Sequence, residues 1–352
     1  MRLRATLALL VLFALWLAGG RVAGAAPATN RLVVASWNVE NLFDPDNDPN
    51  NPGAKDFTPS GWARWTPQRY ATKLEHLAET IAAMKPDVLG LAEIENRRVL
   101  EDLVRVLHEK QHFDLPAIVH REGGDKRGID VALLARVAPV ATNWLAPVRE
   151  QRDILIARFD FDGRPLTIVM NHWKSWAGPP AENIRIRTVE ARAARAEIER
   201  RLAADPRLAL LAMGDFNDNV ESAVMTGEAR FAPWGAVAGT AATGTLYNLS
   251  GCLAETNRVT YYYGKDRVWN SFDSVSVSPG MLPGAAQPAA WQAATNAYGP
   301  FVLPTQRDAD GHPLPFHRVR KKDETGQIRD TYLTGFSDHF PVRCVLEAAA
   351  AR

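Results

Sequence analysis

Polar residues placed at the ends of apolar, strand-length runs set this chain apart. The run Leu208-Ala209-Leu210-Leu211-Ala212-Met213 leads into Gly214-Asp215-Phe216-Asn217. Successive strand side chains point to opposite faces, so Asp215 and Asn217 share one face at the mouth of a buried strand. An acid and an amide there can orient a water and hold an anion, although strand ends also carry Asp and Asn as turn formers. Recurrence favours chemistry. Similar groups close other runs: Asn38 and Glu40, Glu93, Asn171 and His172, Asp273, and Asp338 with His339. Metal-assisted attack of water on a phosphate ester needs such a set, with acids for a cation, a base, and donors for the growing charge.

Each group also has a plainer reading. Glu93 directly follows Val88-Leu89-Gly90-Leu91-Ala92. A buried carboxylate without a partner is costly, so a cation or an arginine must answer it. Asn38 and Glu40 share a face and can touch one metal–phosphate assembly, or serve as turn residues. His172 can donate to a phosphoryl oxygen or be an ordinary satisfied histidine. In Arg127-Gly128-Ile129-Asp130, Asp130 enters an apolar run and needs a partner, most simply a nearby arginine. Asp338 and His339 are adjacent and so address different partners, and Asp273 can hold the His339 imidazole in one tautomer. Asp44, Asp46 and Asp48 copy the start of a calcium loop. Pro49 then stands where glycine is needed and Lys55 where a bidentate glutamate should close the site, so the copy fails.

The elements that must position these groups alternate along the chain. Strands are expected over 32–39, 87–94, 117–121, 129–135, 154–161, 166–171, 208–216, 260–263, 271–278 and 342–346. Several are almost continuously apolar, as when both faces of a sheet are covered. Thr66 and Pro67 open a helix whose Leu74, Leu77, Ile81 and Met84 keep helical spacing until Pro86. Two more are expected over 97–110 and 181–203, the last rich in Arg and Glu on a solvated face. Residues 44–65 and 279–336 read as long irregular segments, the second with a basic cluster at Arg318, Arg320, Lys321 and Lys322. Long loops beside such residues usually shape clefts.

Bulk properties bound the rest. Of 352 residues, 46% are hydrophobic, enough for one large core or two small ones. Arg2 and Arg4 precede an apolar run from Ala5 to Ala18, and Ala23-Gly24-Ala25 supplies small residues for cleavage, so residues 1–25 read as a signal peptide. The run is shorter than the ~20 residues of a spanning helix. The expected mature chain, 26–352, is a single domain, exported to the periplasm or beyond. Without Arg2, Arg4 and Arg21 the basic residues fall from 41 to 38 against 40 acids, moving the formal charge from +1 to −2. That excludes a charge-driven nucleic-acid coat; polyanion contact must come from local patches or a metal. Cys252 and Cys344 can form a disulfide in an oxidising compartment or remain two thiols.

Six motifs in order resemble the endonuclease/exonuclease/phosphatase superfamily. They are Ser36-Trp37-Asn38-Val39-Glu40, Glu93, Asn171-His172-Trp173-Lys174-Ser175, Gly214-Asp215-Phe216-Asn217, Asp273, and Ser337-Asp338-His339. Glu40-Asn41-Leu42-Phe43-Asp44 and the acidic loop after it look like an exported bacterial nuclease-like branch. The resemblance implies an α/β fold, a four-layer α/β/β/α sandwich of two packed mixed sheets flanked by helices. It implies a divalent ion, Mg²⁺ or else Mn²⁺ or Ca²⁺, on Glu93, Asp338 and Asn38 or Glu40, which suits oxygen ligands. It also implies that Asp215 activates water, that Asn217 and His172 bind the scissile phosphate, and that His339, steadied by Asp273, handles a proton or phosphate. Arg127, Asp130, Asn171 and Lys174 would line the substrate.

The expected enzyme is thus a metal-dependent phosphodiesterase acting on DNA or RNA, a monomer without a stable protein partner. A sphingomyelinase-like lipid phosphodiesterase is the nearest alternative, using Trp291, Tyr298 and Phe301 on an apolar loop to reach a bilayer. The run Trp269-Asn270-Ser271-Phe272-Asp273 lacks the inositol-phosphatase signature. A binding module that kept the fold and lost activity is disfavoured, because the metal acid, the Asp/Asn pair and the final Asp-His pair all survive.

Overall fold

The computed structural model describes residues 30–234, 244–294 and 296–349; the expected signal peptide lies outside them. One seven-stranded sheet runs β14-β18-β1-β2-β4-β3, with β15 also on β18. Its strands are β1 (Arg31–Leu42), β2 (Val88–Ile94), β3 (Ala117–Val119), β4 (Asp130–Ala135), β14 (Trp291–Ala293), β15 (Gly299–Pro300) and β18 (Val342–Ala348). The other runs β5-β6-β7-β8-β13-β10-β9. It holds β5 (Ala141–Leu145), β6 (Ile154–Phe161), β7 (Arg164–His172), β8 (Leu210–Asp215), β9 (Phe231–Pro233), β10 (Leu246–Asn248) and β13 (Asp273–Val277). Outside these two sheets, β11 (Tyr261–Tyr263) pairs with β12 (Val268–Asn270) in a ribbon. Both sheets are mixed: β1 and β2 are parallel, as are β7 and β8, while β18 and β13 are antiparallel to β1 and β8.

Strand alternation builds the layers. Leu32 and Val34 of β1, Leu166, Ile168 and Met170 of β7, and Leu211 and Met213 of β8 fill the gap between the sheets. Their neighbours face outward. Ala35, Trp37 and Val39 meet α1 (Pro67–Met84) and α2 (Arg97–Gln111), and Val169, Leu210 and Ala212 meet α3 (Pro180–Ala204). The result is the expected α/β/β/α order. The helices start and stop where the local chemistry says. The Thr66 hydroxyl accepts from the Arg69 N–H, Asn96 caps α2 through the Val99 N–H, and Lys85 and His112 close α1 and α2 in left-handed conformations. Along α3 the charged residues largely pair with one another, as in Arg185–Glu182 and Arg201–Glu197.

At Gly90 side chains of the facing sheet fill the space a side chain would take. A Cβ there would meet Met170 Sδ at 2.5 Å and Met213 Cε at 2.7 Å. The inner-facing positions just beyond it turn polar at one end of the sandwich, and that end holds the site.

The structure corrects several local expectations. The segment 279–336 is not irregular throughout: β16 (Arg318–Lys322) pairs with β17 (Ile328–Tyr332), so the basic cluster is one strand of a hairpin. Trp291 and Tyr298 are packed into the inter-sheet core, which removes the apolar loop that would have reached a bilayer. Cys252 and Cys344 are separate thiols: Cys252 Sγ donates to the Leu249 carbonyl and Cys344 lies in the core. Among the described residues no helix is long and apolar enough to cross a membrane.

Candidate active site

Continuing the alternation past the apolar core brings Asn38, His172, Asp215 and Asp273 to the same end of the gap. The register places His172 opposite Asp215 on β7–β8 and Asp273 opposite Asp215 on β8–β13. Asn38, from the other sheet, donates through Nδ2 to Asp215 Oδ2 at 2.9 Å. That bond joins the two sheets at the pocket. Asn38, Asp215, Asn217, Asp338 and His339 line one cavity of about 250 Å³, together with Trp176, Tyr261 and Phe272.

Asp215 is the centre. Its Oδ1 accepts the Asn217 N–H at 2.8 Å, and its Oδ2 lies 3.7 Å from His172 Nε2 and 3.8 Å from His339 Nε2. Burial, with Asp273 adding to it, pushes its carboxyl up to about 6 against the pull of His339, Asn38 and the Asn217 N–H. His339 hydrogen-bonds through Nδ1 to Asp273 Oδ2 at 2.7 Å. Burial opposes its imidazolium, but Asp273 and Asp215 outweigh burial and hold His339 well above the usual histidine range. His172 goes the other way. Burial, then Arg152, Arg127 and His339, keep it well below that range, and its buried Nδ1 has no hydrogen-bond partner among the described residues.

Two of the acids expected to hold a cation, Glu40 and Glu93, sit on broken strand ends. The β1–β2 register shifts between Asn38 and Leu42, and the β2–β4 register shifts between Ala92 and Ile94. Glu40, Asn41 and Glu93 lie there with φ of 54°, 54° and 66°. Such irregularities re-aim a side chain that regular alternation would send elsewhere. Glu93 Oε2 accepts the Asn41 N–H at 2.9 Å, and Oε1 lies 3.7 Å from Arg127. Burial, then Glu40 and Glu93, push Asp338 up to about 7 in spite of His339 and Lys73. A basin in which acidic neighbours help raise Asp338 fits a hard divalent cation.

Arg127 reaches the rim and donates to Asn41 Oδ1 at 2.6 Å. Three other residues expected to line the substrate are engaged elsewhere. The buried Asn171 amide donates to the Val169 and Met213 carbonyls and accepts from Trp173 Nε1. Lys174 Nζ donates to the Ser175 and Ala177 carbonyls. Asp130 meets His120 at 3.4 Å and the Gly123 N–H at 3.0 Å, so its partner is a histidine rather than an arginine. Glu40 is also occupied, by His317 Nδ1 at 2.5 Å and the Phe316 N–H at 2.6 Å.

Sequence reasoning missed the supports. Lys73, buried on α1, donates to the Phe336 carbonyl at 2.6 Å, and its pKa is lowered to about 8 by burial against the pull of Glu40, Asp338 and Glu93. A lysine interrupting the stripe Tyr70, Leu74, Leu77 was the available signal. Arg152 Nε donates to the His172 carbonyl at 3.2 Å, and its Nη1 pairs with Asp125 at 3.0 Å. Tyr261 stacks between Phe272 and His339, its ring centroid 5.2 and 4.6 Å from theirs.

The sequence model of the endonuclease/exonuclease/phosphatase family matches residues 33–348. The chain belongs to that family. It is therefore a metal-dependent phosphoester hydrolase. Solved structures agree on the fold. TDP2 from C. elegans has a TM-score of 0.54 at 14% identity, over 93% of this chain and 78% of that one. D. rerio TDP2 complexed with single strand DNA product has 0.53 at 16%, over 91% and 100%. Mannosyl-6-phosphatase from Bacteroides thetaiotaomicron has 0.51 at 16%, over 90% and 99%. At these identities the likeness is one of fold. Curated proteins give no match to the sequence.

Proposed function

We propose that this member of the endonuclease/exonuclease/phosphatase family is an exported phosphodiesterase that hydrolyses nucleic acid, DNA or RNA. The observation that carries the reaction is Asp215, a buried carboxylate flanked by two imidazoles and two amides in one cavity. Glu93, Asp338 and Asn38 would hold the divalent ion, Mg²⁺ or in its place Mn²⁺ or Ca²⁺. When bound, it would neutralise the anionic phosphate and stabilise the leaving oxygen. The protein's own groups do the rest. Asp215 orients the attacking water and accepts its proton, and Asn38 and the Asn217 N–H keep the carboxylate aimed. His339, held protonated by Asp273, donates to the phosphoryl oxygens. His172, held neutral, adds a donor through Nε2, and one amide hydrogen of Asn217 is tied to the Trp173 carbonyl at 3.0 Å, leaving the other for phosphate. Such preorganised donors are worth ~10²- to 10³-fold each.

Support for a polynucleotide comes from Arg127 at the rim, where a flanking phosphate would lie, and from the D. rerio relative with its single strand DNA product. Export is supported by the basic start and apolar run of residues 1–25. A second reading, a sugar phosphate as substrate, draws on the mannosyl-6-phosphatase of shared fold. One panel separates them: purified protein against plasmid, single-stranded DNA, RNA, sphingomyelin and mannose 6-phosphate, each with Mg²⁺, Mn²⁺, Ca²⁺ or chelator. Polynucleotide cleavage that chelator abolishes is expected. Turnover of the sugar phosphate with every polynucleotide left intact would overturn the assignment.

A further inference from the structure

Beside the catalytic cavity lies a second hollow of about 480 Å³, lined by Trp176, Pro180, Ile184, Arg187, Asp218 and Val224. The two share a wall, because Trp176 also lines the cavity that holds Asp215 and His339. Its indole is held at one edge, with Nε1 donating to the Asn217 carbonyl at 2.7 Å and Phe272 meeting the ring at 5.1 Å. Even so, Trp176 is 44% exposed and Ile184, on α3, is 49% exposed. Large apolar side chains left in water together, beside a site, mark a surface meant to be covered. The charged members of the wall, Arg187 and Asp218, neutralise each other at 3.0 Å, so the hollow suits a flat, uncharged guest.

We propose that this hollow is a subsite for the nucleobase next to the scissile phosphate, with Trp176 as its stacking platform. The proposal rests on the phosphodiesterase reading above. Continuity with the catalytic cavity identifies the occupant: a group held here and a phosphate held by Asn217 and His339 belong to one substrate. Every base has a π-face, so the subsite separates base-bearing from base-free strands without reading sequence. It also favours unpaired strands, whose bases are free to turn into it.

The test compares an end-labelled oligothymidylate with an oligomer of equal length carrying base-free deoxyribose phosphates. Wild type should favour the first by roughly tenfold or more in kcat/KM. Trp176→Ala should bring that ratio close to one, Trp176→Phe should keep most of it, and Ile184→Asp should lower it. A second measurement is independent of turnover: the indole Nε1–H resonance of Trp176 should move with thymidine 5′-monophosphate and not with deoxyribose 5-phosphate. Equal losses on both oligomers in Trp176→Ala would make the residue a support for Asn217 and overturn the subsite. So would a wild type that treats both oligomers alike. If wild type cleaves neither, the phosphodiesterase reading fails, and a still resonance in the titration would overturn the subsite separately.

Discussion

The two histidines beside Asp215 make an informative pair. His172 and His339 are both buried and face the same oxygen, Asp215 Oδ2, at 3.7 and 3.8 Å. Their charge states are nevertheless opposite. The difference lies on the far side of each ring. His339 Nδ1 meets Asp273, whereas His172 Nδ1 has no hydrogen-bond partner among the described residues and its surroundings carry Arg152 and Arg127. One carboxylate therefore has a cationic donor on one side and a neutral donor on the other. The atom that faces the substrate does not set the role of an imidazole; the second nitrogen does.

That contrast can be broken or sharpened in order of effect. Asp215→Asn removes what both rings face and should lower kcat by ~10³-fold with the fold intact by circular dichroism; near-normal turnover would sink the assignment. Asp273→Asn should cost ~10²-fold and bring His339 down toward His172, followed by imidazole NMR against pH. If His339 stays protonated in that variant, Asp273 is not the cause. His172→Gln keeps a neutral donor and should lose about tenfold, against ~10²-fold for His339→Gln. The reverse order in steady-state rates would exchange the two roles.

A last effect, on stability rather than rate, concerns Glu190 beside Lys174. Glu190 on α3 accepts the Lys174 N–H at 2.9 Å, and burial pushes its carboxyl from 4.5 up to about 7 despite Arg152, that N–H and Arg187. A carboxyl raised on folding binds its proton more tightly in the native chain. Its contribution is therefore full below about pH 4.5 and is lost as pH rises through 7, by up to ~3 kcal/mol. Glu190→Gln keeps the acceptor without the charge. Its melting temperature should match wild type near pH 4.5 and exceed it at pH 8; parallel melting curves across that range would remove the claim.

How much of this could be read beforehand varies with the physics. The polar strand ends stood out because buried strands of β1, β2, β7 and β8 are nearly pure apolar runs, against which a polar residue shows. The helices were legible from their caps and spacing. The β16–β17 hairpin was not: its residues are mostly exposed and charged, so it carries no apolar alternation to detect. Glu40 and Glu93 could be named but not aimed, because left-handed backbone at a register shift is invisible to a period-two reading. Asp130 was correctly expected to need a partner, yet which residue supplied it depended on β3 ending beside β4. Lys73, Arg152 and Trp176 belong to no motif, and three-dimensional packing alone reveals what they support.

Gly90 makes no bond to any catalytic group, yet the absence of a side chain there lets Met170 and Met213 close the inter-sheet gap. Since the Asn38–Asp215 bond spans that gap, the spacing of the hydrocarbon interior gauges the reactive geometry. Filling the notch with a methyl group would push the Met170 and Met213 tips aside and repack the interior behind the Asn38–Asp215 bond. Thermal robustness and turnover would thus suffer together at this residue, and stabilising designs that thicken the interior would do better at the far end of the sandwich.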